Sequence, residues 1–475
     1  MAFLAGDWLS RPTPTSIATH ACLLLLIAWS VALYFLSTRF AVGSNTLDLP
    51  IRSFVAFQIG GGVLYLATLV LLRRKPSTRG WLGAVIAAGL LMRLTQLPAT
   101  PILEDDYYRY LWDGAVTAHG LSPYAYSPEQ IADADDAVPT RVLELAEQSG
   151  QVVERINHPW LRTIYPPTAQ AAFAMAYWVQ PFDIRGLRVA WLALDVAVLW
   201  LLISMHAGSA RRLLAVGLYW LNPLLIKEVF NAGHMELVLV LTLVLTLALV
   251  RRGRHKAGGV MLGLATGAKL WPAIWLPLLL RAAPGSWRKW PAIVAAFALP
   301  AGLMALPIVL SRLDASSGFT AYAQRWQMND SAYLILYETA KLIWADHAQR
   351  AARLAVVLIL LVVLAYRLRR SAPGFEPLAH SAMVLTAALF LLSPTQFPWY
   401  YLWLLPLLTF RPMWSLLALT ATLPLYNLRF YLDAIGLAAW HHYGVVWVQF
   451  VPIWVALAYE TYRSNRRNSP TLHEG

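Results

Sequence analysis

Long apolar runs set the pattern of this chain. Three open it, at roughly 17–36, 54–72 and 81–97. A polar stretch follows at about 98–166, and then a shorter apolar run at 167–180. Further runs cover about 189–205, 213–230, 235–250, 257–280, 291–311, 351–366, 378–392, 400–410, 413–428 and 444–459. A helix that crosses a bilayer needs about 20 apolar residues, so the pattern predicts an all-α polytopic membrane protein with roughly 12–14 transmembrane or re-entrant helices. The large loop in the first half is expected to carry short helices. We read 1–475 as a single membrane domain, with 98–166 as an external loop module inside it.

Composition agrees. Of 475 residues, 58% are hydrophobic and 13% charged, against about 25% charged in an ordinary soluble domain. A soluble multidomain enzyme could not hydrate such a surface, and a disordered chain would be far less apolar. The first run is too long for a signal-peptide core, and no small-residue cleavage site follows it. The single cysteine, Cys22, excludes an intrachain disulfide and a cysteine-based metal cluster.

Charge placement orients the chain. The formal net charge is +13. On a soluble protein that would suggest nucleic acid, but here it collects in short loops. The clusters are Arg73, Arg74, Lys75 and Arg79; Arg211 and Arg212; Arg251, Arg252, Arg254 and Lys256; Arg281, Arg288 and Lys289; Arg367, Arg369 and Arg370; and Arg463, Arg466 and Arg467. Such loops stay in the cytoplasm, and no nucleic-acid partner is expected. The 98–166 stretch instead holds 11 of the chain's 25 carboxylates against four basic residues. This places it on the outer face of the cytoplasmic membrane. With these sides fixed, 167–180 and 257–280 cannot both be simple spans, unless one loop lies on the other side. The first would lie in the interface or re-enter. The second would break into a hairpin at Gly267 and Pro272, which is tolerated where backbone lines a cavity.

The densest polar motif runs Glu104-Asp105-Asp106-Tyr107-Tyr108-Arg109-Tyr110-Leu111-Trp112-Asp113-Gly114. On a helix Asp106, Tyr110 and Asp113 share a face, and Asp105 pairs with Arg109 at i, i+4. Three successive carboxylates call for a cation, a proton or a substrate, although acids also suit a solvated helix start. A second motif is Asn157-His158-Pro159, followed by Thr163-Ile164-Tyr165-Pro166-Pro167, whose prolines start a helix after an extended approach. A third is Asn222-Pro223 through Lys227-Glu228, then Asn231-Ala232-Gly233-His234-Met235-Glu236. Ionisable residues at membrane depth are functional by default, while Lys227–Glu228 also suits a surface pair. On a helix His234 and Glu236 would point apart, a poor spacing for metal ligands. Lys269 stands alone in the 257–280 run and must pair with an anion, snorkel or lose its proton. Pro398-Trp399-Tyr400 connects two late spans.

In this order the motifs resemble the GT-C superfamily of integral-membrane glycosyltransferases, and most closely bacterial mannosyltransferases that use polyprenyl-phosphate-mannose. The resemblance runs through about 100–405. It implies a GT-C-like membrane domain and a multi-pass protein of the cytoplasmic membrane, with its active site on the periplasmic or external side. It further implies transfer of one sugar, mannose first, from a polyprenyl-phosphate donor to a hydroxyl of a lipid or glycan acceptor, with inversion. Asp106 matches the family's general base and Asp105 is the second candidate. Many relatives carry Asp-x-Asp here, where this chain has adjacent aspartates; Asp105 and Asp106 are the candidate ligands should a divalent cation, Mg or Mn, be required. Arg109, Tyr110, Asp113, His158, Tyr165, Lys227, His234, Glu236, Lys269, Trp399 and Tyr400 are the expected substrate-binding residues. Lys269, Lys227, His234 and Arg109 are candidates for the departing phosphate. Trp399, Tyr400 and Tyr165 are candidates for the sugar or lipid.

Two other classes fit the composition. A transporter or flippase of polyprenyl-linked glycans would show symmetric broken helices with ionisable groups at the midplane, whereas these acids gather in one loop and no internal repeat is visible. A glycan polymerase or oligosaccharide transferase would act on a larger donor.

Overall fold

The computed structural model describes residues 13–468 except 42, 286 and 312; the remaining ends of the 1–475 expectation lie outside the described residues. The helices in chain order are α1 (Pro14–Ser37), α2 (Ile51–Leu72), α3 (Arg79–Leu94), α4 (Asp106–Ala118), α5 (Pro128–Ala132), α6 (Thr140–Gln148), α7 (Pro167–Val179), α8 (Ile184–Met205) and α9 (Arg212–Trp220). They continue with α10 (Pro223–Leu225), α11 (Glu236–Arg251), α12 (His255–Thr266), α13 (Leu276–Ala282), α14 (Trp290–Leu310), α15 (Gly318–Arg325), α16 (Ala332–Ile343), α17 (Ala348–Arg370) and α18 (Phe375–Leu392), and a last long helix covers Val446–Asn468. Side-chain caps start several of them. Thr13 accepts from Ser16 N ahead of Pro14, Thr78 from Trp81 N, and Asp183 from Arg185 N.

Among the described residues, eight helices are long and apolar enough to cross a membrane, at 14–37, 51–72, 184–205, 212–231, 287–310, 345–370, 375–392 and 438–466. The protein is thus an all-α, multi-pass membrane protein. The expected dozen resolves into these eight plus shorter or broken segments. Proline explains much of the breakage: Pro398, Pro406 and Pro424 interrupt the late runs into short 3₁₀ and α turns. Exposed apolar side chains, such as Leu299 and Leu310 on α14 and Leu358 and Val362 on α17, cover surfaces that only lipid would solvate well.

The run 257–280 does break. α12 ends at Gly267, a 3₁₀ turn covers Trp271–Trp275, and α13 follows. Both arms return to one end, where Arg254, His255, Lys256, Arg288 and Lys289 line a cavity of about 600 Å³. The run is therefore a hairpin whose tip carries Lys269. The tip meets the start of α7, where Thr168 N donates to Gly267 O at 2.9 Å. A Cβ at Gly267 would collide with Thr168 and Met304 side-chain atoms, so this approach admits only glycine. The 167–180 run forms α7, of 13 residues. Its length of about 20 Å is too short to cross a hydrocarbon core of about 30 Å.

A buried ion pair ties the first half together. Arg93 Nε on α3 meets Asp195 Oδ2 on α8 at 2.6 Å, and both side chains are fully enclosed. Tyr219 Oη donates to Asp195 Oδ1 at 2.5 Å. Arg93 Nη1 donates to the carbonyls of Gly89 and Trp220.

Candidate active site

The acidic motif is held down before its helix begins. Arg188 donates to the carbonyls of Leu97, Ala99 and Asn231. Asn231 accepts from Ile102 N at 3.0 Å and donates to Thr100 O at 2.9 Å. Glu104 is thereby drawn inward, and α4 starts at Asp106. From Tyr107 to Val116 α4 is buried, packed against α7, so this part of the polar loop is a fixed wall.

Asn157 joins the two aspartates. Its Nδ2 donates to Asp105 Oδ1 at 2.7 Å and to Asp106 Oδ1 at 2.8 Å. Asp105 reaches solvent, yet the surrounding protein and then the charge of Asp106 push its carboxyl up to about 6. The expected Asp105–Arg109 pair does not form. Asp105 lies outside the helix, with φ −133, and the buried Arg109 donates to the carbonyls of Asn157 and His158 instead. His158 has φ 49, a conformation costly for a residue with a side chain. Its ring meets Trp160 and Trp326 edge-on, with centroids 5.2 and 4.8 Å away. Burial holds this imidazole below its usual range, against the pull of Asp106.

The third motif supplies the opposite wall. Asn222 caps the turn at Pro223, accepting from Leu224 N and Leu225 N. Residues Ile226–Asn231 then form a π-helix, in which Ala232 N bonds to Lys227 O, five residues back. Gly233 follows at φ 88, a value glycine adopts readily. This turn aims His234 back toward the acidic motif. Lys227 is enclosed between Glu104 Oε1 and Glu228 Oε2, 3.2 Å from each. His234 Nε2 lies 3.5 Å from Glu104 Oε2 and 3.6 Å from Glu228 Oε2, and its Nδ1 lies 3.9 Å from Asp106 Oδ2. Burial raises the Glu104 carboxyl, but Lys227 and His234 outweigh it and hold the group low.

Aromatic rings line the space beyond. Trp399 stacks on His234 with centroids 3.9 Å apart. Lys269 Nζ, at the hairpin tip, bonds to Glu236 Oε1 at 2.8 Å and sits 4.1 Å over the Tyr400 ring. Trp403 donates to Glu236 Oε2 at 2.5 Å. Tyr165 Oη donates to Tyr110 Oη at 3.3 Å, and Tyr322 closes the far side through Tyr400 Oη at 2.9 Å.

Most residues singled out from sequence therefore converge. Asp105, Asp106, Arg109, Tyr110, His158, Tyr165, Lys227, His234, Glu236, Lys269, Trp399 and Tyr400 form one connected cluster. Asp113 lies beneath it, 1% exposed, where Oδ2 accepts from Thr163 Oγ1 at 2.5 Å and Gln170 Nε2 at 3.0 Å. Glu104, Asn157, Glu228, Trp403 and Tyr322 were not singled out. Glu104, Asn157 and Glu228 stand inside the motifs. Trp403 is hidden in an apolar run, and nothing local marks Tyr322. Among the described residues, three His/Cys/Asp/Glu side chains grouped closely enough for a metal are Glu104, Glu228 and His234, a different set from the Asp105 and Asp106 pair expected from sequence. The expected poor spacing of His234 and Glu236 assumed a helix, but His234 sits in the turn before α11.

Residues 163–394, just under half of the chain, match the model of Glycosyltransferase family 87. Alpha-(1->6)-mannopyranosyltransferase A of Mycobacterium tuberculosis is 25% identical over 234 residues, covering 48% of this chain and 43% of that relative. The aligned part is thus less than half of the relative's length. No solved structure matches. The family match begins after Asp105 and Asp106 and includes Tyr165, Lys227, Glu228, His234, Glu236 and Lys269. With its all-helical, multi-pass architecture, the chain is similar across its central region to glycosyltransferase family 87 and to membrane mannosyltransferases of the GT-C type.

Proposed function

We propose that this protein moves a single sugar from a polyprenyl-phosphate donor to a hydroxyl on a lipid or glycan acceptor, inverting the anomeric centre. Mannose is the first candidate, because the mycobacterial relative is named for its transfer. The reaction takes place in the cytoplasmic membrane, on the face away from the basic loops.

The observation that carries this reading is the setting of Asp106. Its carboxylate is partly exposed at the edge of the cluster, with one oxygen fixed by Asn157. Asp106 takes the proton from the acceptor hydroxyl as that oxygen attacks the anomeric carbon. The bond from that carbon to the phosphate oxygen breaks, and polyprenyl phosphate leaves with the electron pair. Phosphate is already a good leaving group, so no second carboxyl acid is required, unlike glycoside hydrolysis. Positive charge near the departing oxygen lowers the barrier. Lys269 fits that task better than Lys227: its side chain is 17% exposed over the Tyr400 ring, whereas Lys227 is 1% exposed between two glutamates. Tyr165, Trp399 and Tyr400 offer faces for sugar or prenyl groups. Asp105 remains the second candidate base, and a Mg or Mn ion held by Asp105 and Asp106 would steady the phosphate.

The test is incubation of purified protein with a panel of polyprenyl-phosphate sugars and membrane lipid extract, read by mass spectrometry. One hexose should be added from the mannose donor, and the Asp106→Asn variant should add none. No transfer from any donor, or full transfer by that variant, would overturn the reading.

A further inference from the structure

We propose a divalent-cation site made by Glu104, Glu228 and His234, separate from the Asp105–Asp106 pair. His234 is fully buried, and neither of its ring nitrogens has a hydrogen-bond partner. Glu228 Oε1 is also buried without one. The atoms point at one another instead: His234 Nε2 is 3.5 Å from Glu104 Oε2 and 3.6 Å from Glu228 Oε2.

These separations leave room for a metal. A protonated imidazole would close on a carboxylate at about 2.7–2.9 Å. Ligands bound at about 2.0–2.2 Å around a tetrahedral ion stand roughly 3.4 Å apart, close to the spacing seen. The three ligand atoms all lie within 4.8 Å of one another.

Charge and orientation agree. Glu104, Glu228 and Asp106 bring three negative charges when ionised, and Lys227 returns one. A dication cancels the remainder, where uncompensated buried charge is costly. His234 Nδ1 faces Asp106 Oδ2 at 3.9 Å. A metal-bound imidazole commonly hydrogen-bonds a carboxylate through its second nitrogen, and a small turn of the ring would bring Nδ1 within that reach of Asp106. Lys227 Nζ lies 3.2 Å from both Glu104 Oε1 and Glu228 Oε2, so Glu228 would offer the ion its unpartnered Oε1. One nitrogen and two carboxylate oxygens favour a borderline ion of the zinc kind over Mg²⁺, which prefers oxygen ligands and retains its waters. The ion would tie the acidic motif to the π-helix and hold the His234 ring against Asp106. The site stands on its own geometry, and only its effect on turnover rests on the glycosyl-transfer reading.

The test reads binding. Detergent-purified full chain is stripped with chelator, loaded with Zn²⁺ and assayed by elemental analysis and titration calorimetry. One Zn²⁺ per chain is expected, with a raised melting temperature. Glu228→Gln and His234→Ala should each weaken binding at least about 100-fold, while Asp105→Asn should leave it within about threefold. The isosteric Glu228→Gln variant should melt with the stripped wild type, which separates lost ligation from misfolding. Cobalt loading should give the visible absorption of a low-coordinate nitrogen–oxygen site, absent in His234→Ala. Substoichiometric zinc, or affinity unchanged in both ligand variants, would overturn the site even if sugar transfer were established. Loss of transfer with zinc binding intact would leave it standing.

Discussion

Two buried clusters of charge in this protein differ in how fully they are satisfied. Around Asp195 the contacts are short: Arg93 at 2.6 Å on one oxygen, Tyr219 at 2.5 Å on the other, and the guanidinium 3.4 Å over the Trp220 ring. Around Glu228 they are long, 3.2 Å to Lys227 and 3.6 Å to His234, and Oε1 has no hydrogen bond. Both clusters are enclosed, so burial does not distinguish architecture from chemistry. Saturation does. A carboxylate with both oxygens taken has nothing left to offer a ligand, whereas open valences are kept for one.

The largest expected effects test this contrast directly. Asp106→Asn should lower turnover by about 10²–10⁴-fold and leave the unfolding midpoint in place. Arg93→Met should do the reverse. Stranding Asp195 costs about 3–5 kcal/mol in detergent unfolding, while turnover per folded molecule holds. Adding Asp195→Leu to that variant should recover part of the stability. If Arg93→Met instead removed turnover without loss of stability, the contrast would fail.

Smaller effects sharpen it. Asn157→Ala frees both aspartates and should lower turnover about 10- to 100-fold through misplacement of the base, with donor affinity little changed. Lys269→Met should raise the apparent KM for donor about tenfold, a loss near 1.4 kcal/mol, measured by initial rates across donor concentration. The smallest concerns Asp330, beside the outer helices α15 and α16. Burial pushes its carboxyl up to about 7, above the value near 3.9 of an unfolded chain. Between those values the folded state holds more protons, so stability falls as pH rises from about 4 to 7. Thermal melts at pH 6 and 8 should show the higher midpoint at pH 6, and Asp330→Asn should flatten that difference.

Much of this was legible in the sequence. Apolar runs gave the membrane class, and Gly267 with Pro272 marked the hairpin that carries Lys269. The acidic motif stood out because carboxylates are scarce elsewhere. The missing parts depend on distant pairing. Glu104 meets Glu228 and His234 only after the chain has crossed much of the fold, and Lys227–Glu228 reads as an ordinary surface pair from sequence. Asp105 and Arg109 have helical spacing, but the helix begins one residue too late for them to meet. His234 stood out in the sequence, but its approach to Glu104 and Glu228 did not, because the glycine turn at Gly233 breaks the helical period.

The π-helix at Ile226–Asn231 has an evolutionary consequence. A π turn carries one residue more than the α turn it replaces. Deleting one residue there would restore ordinary helix and leave the flanking segments nearly in place, but it would remove the wide turn that presents Lys227 and Glu228. Lys227 and Glu228 would survive in name, yet their register against Glu104 would change. A descendant shortened by that one position would keep nearly all of its letters and lose that register, so the count of residues between Pro223 and Gly233 is itself an inherited trait.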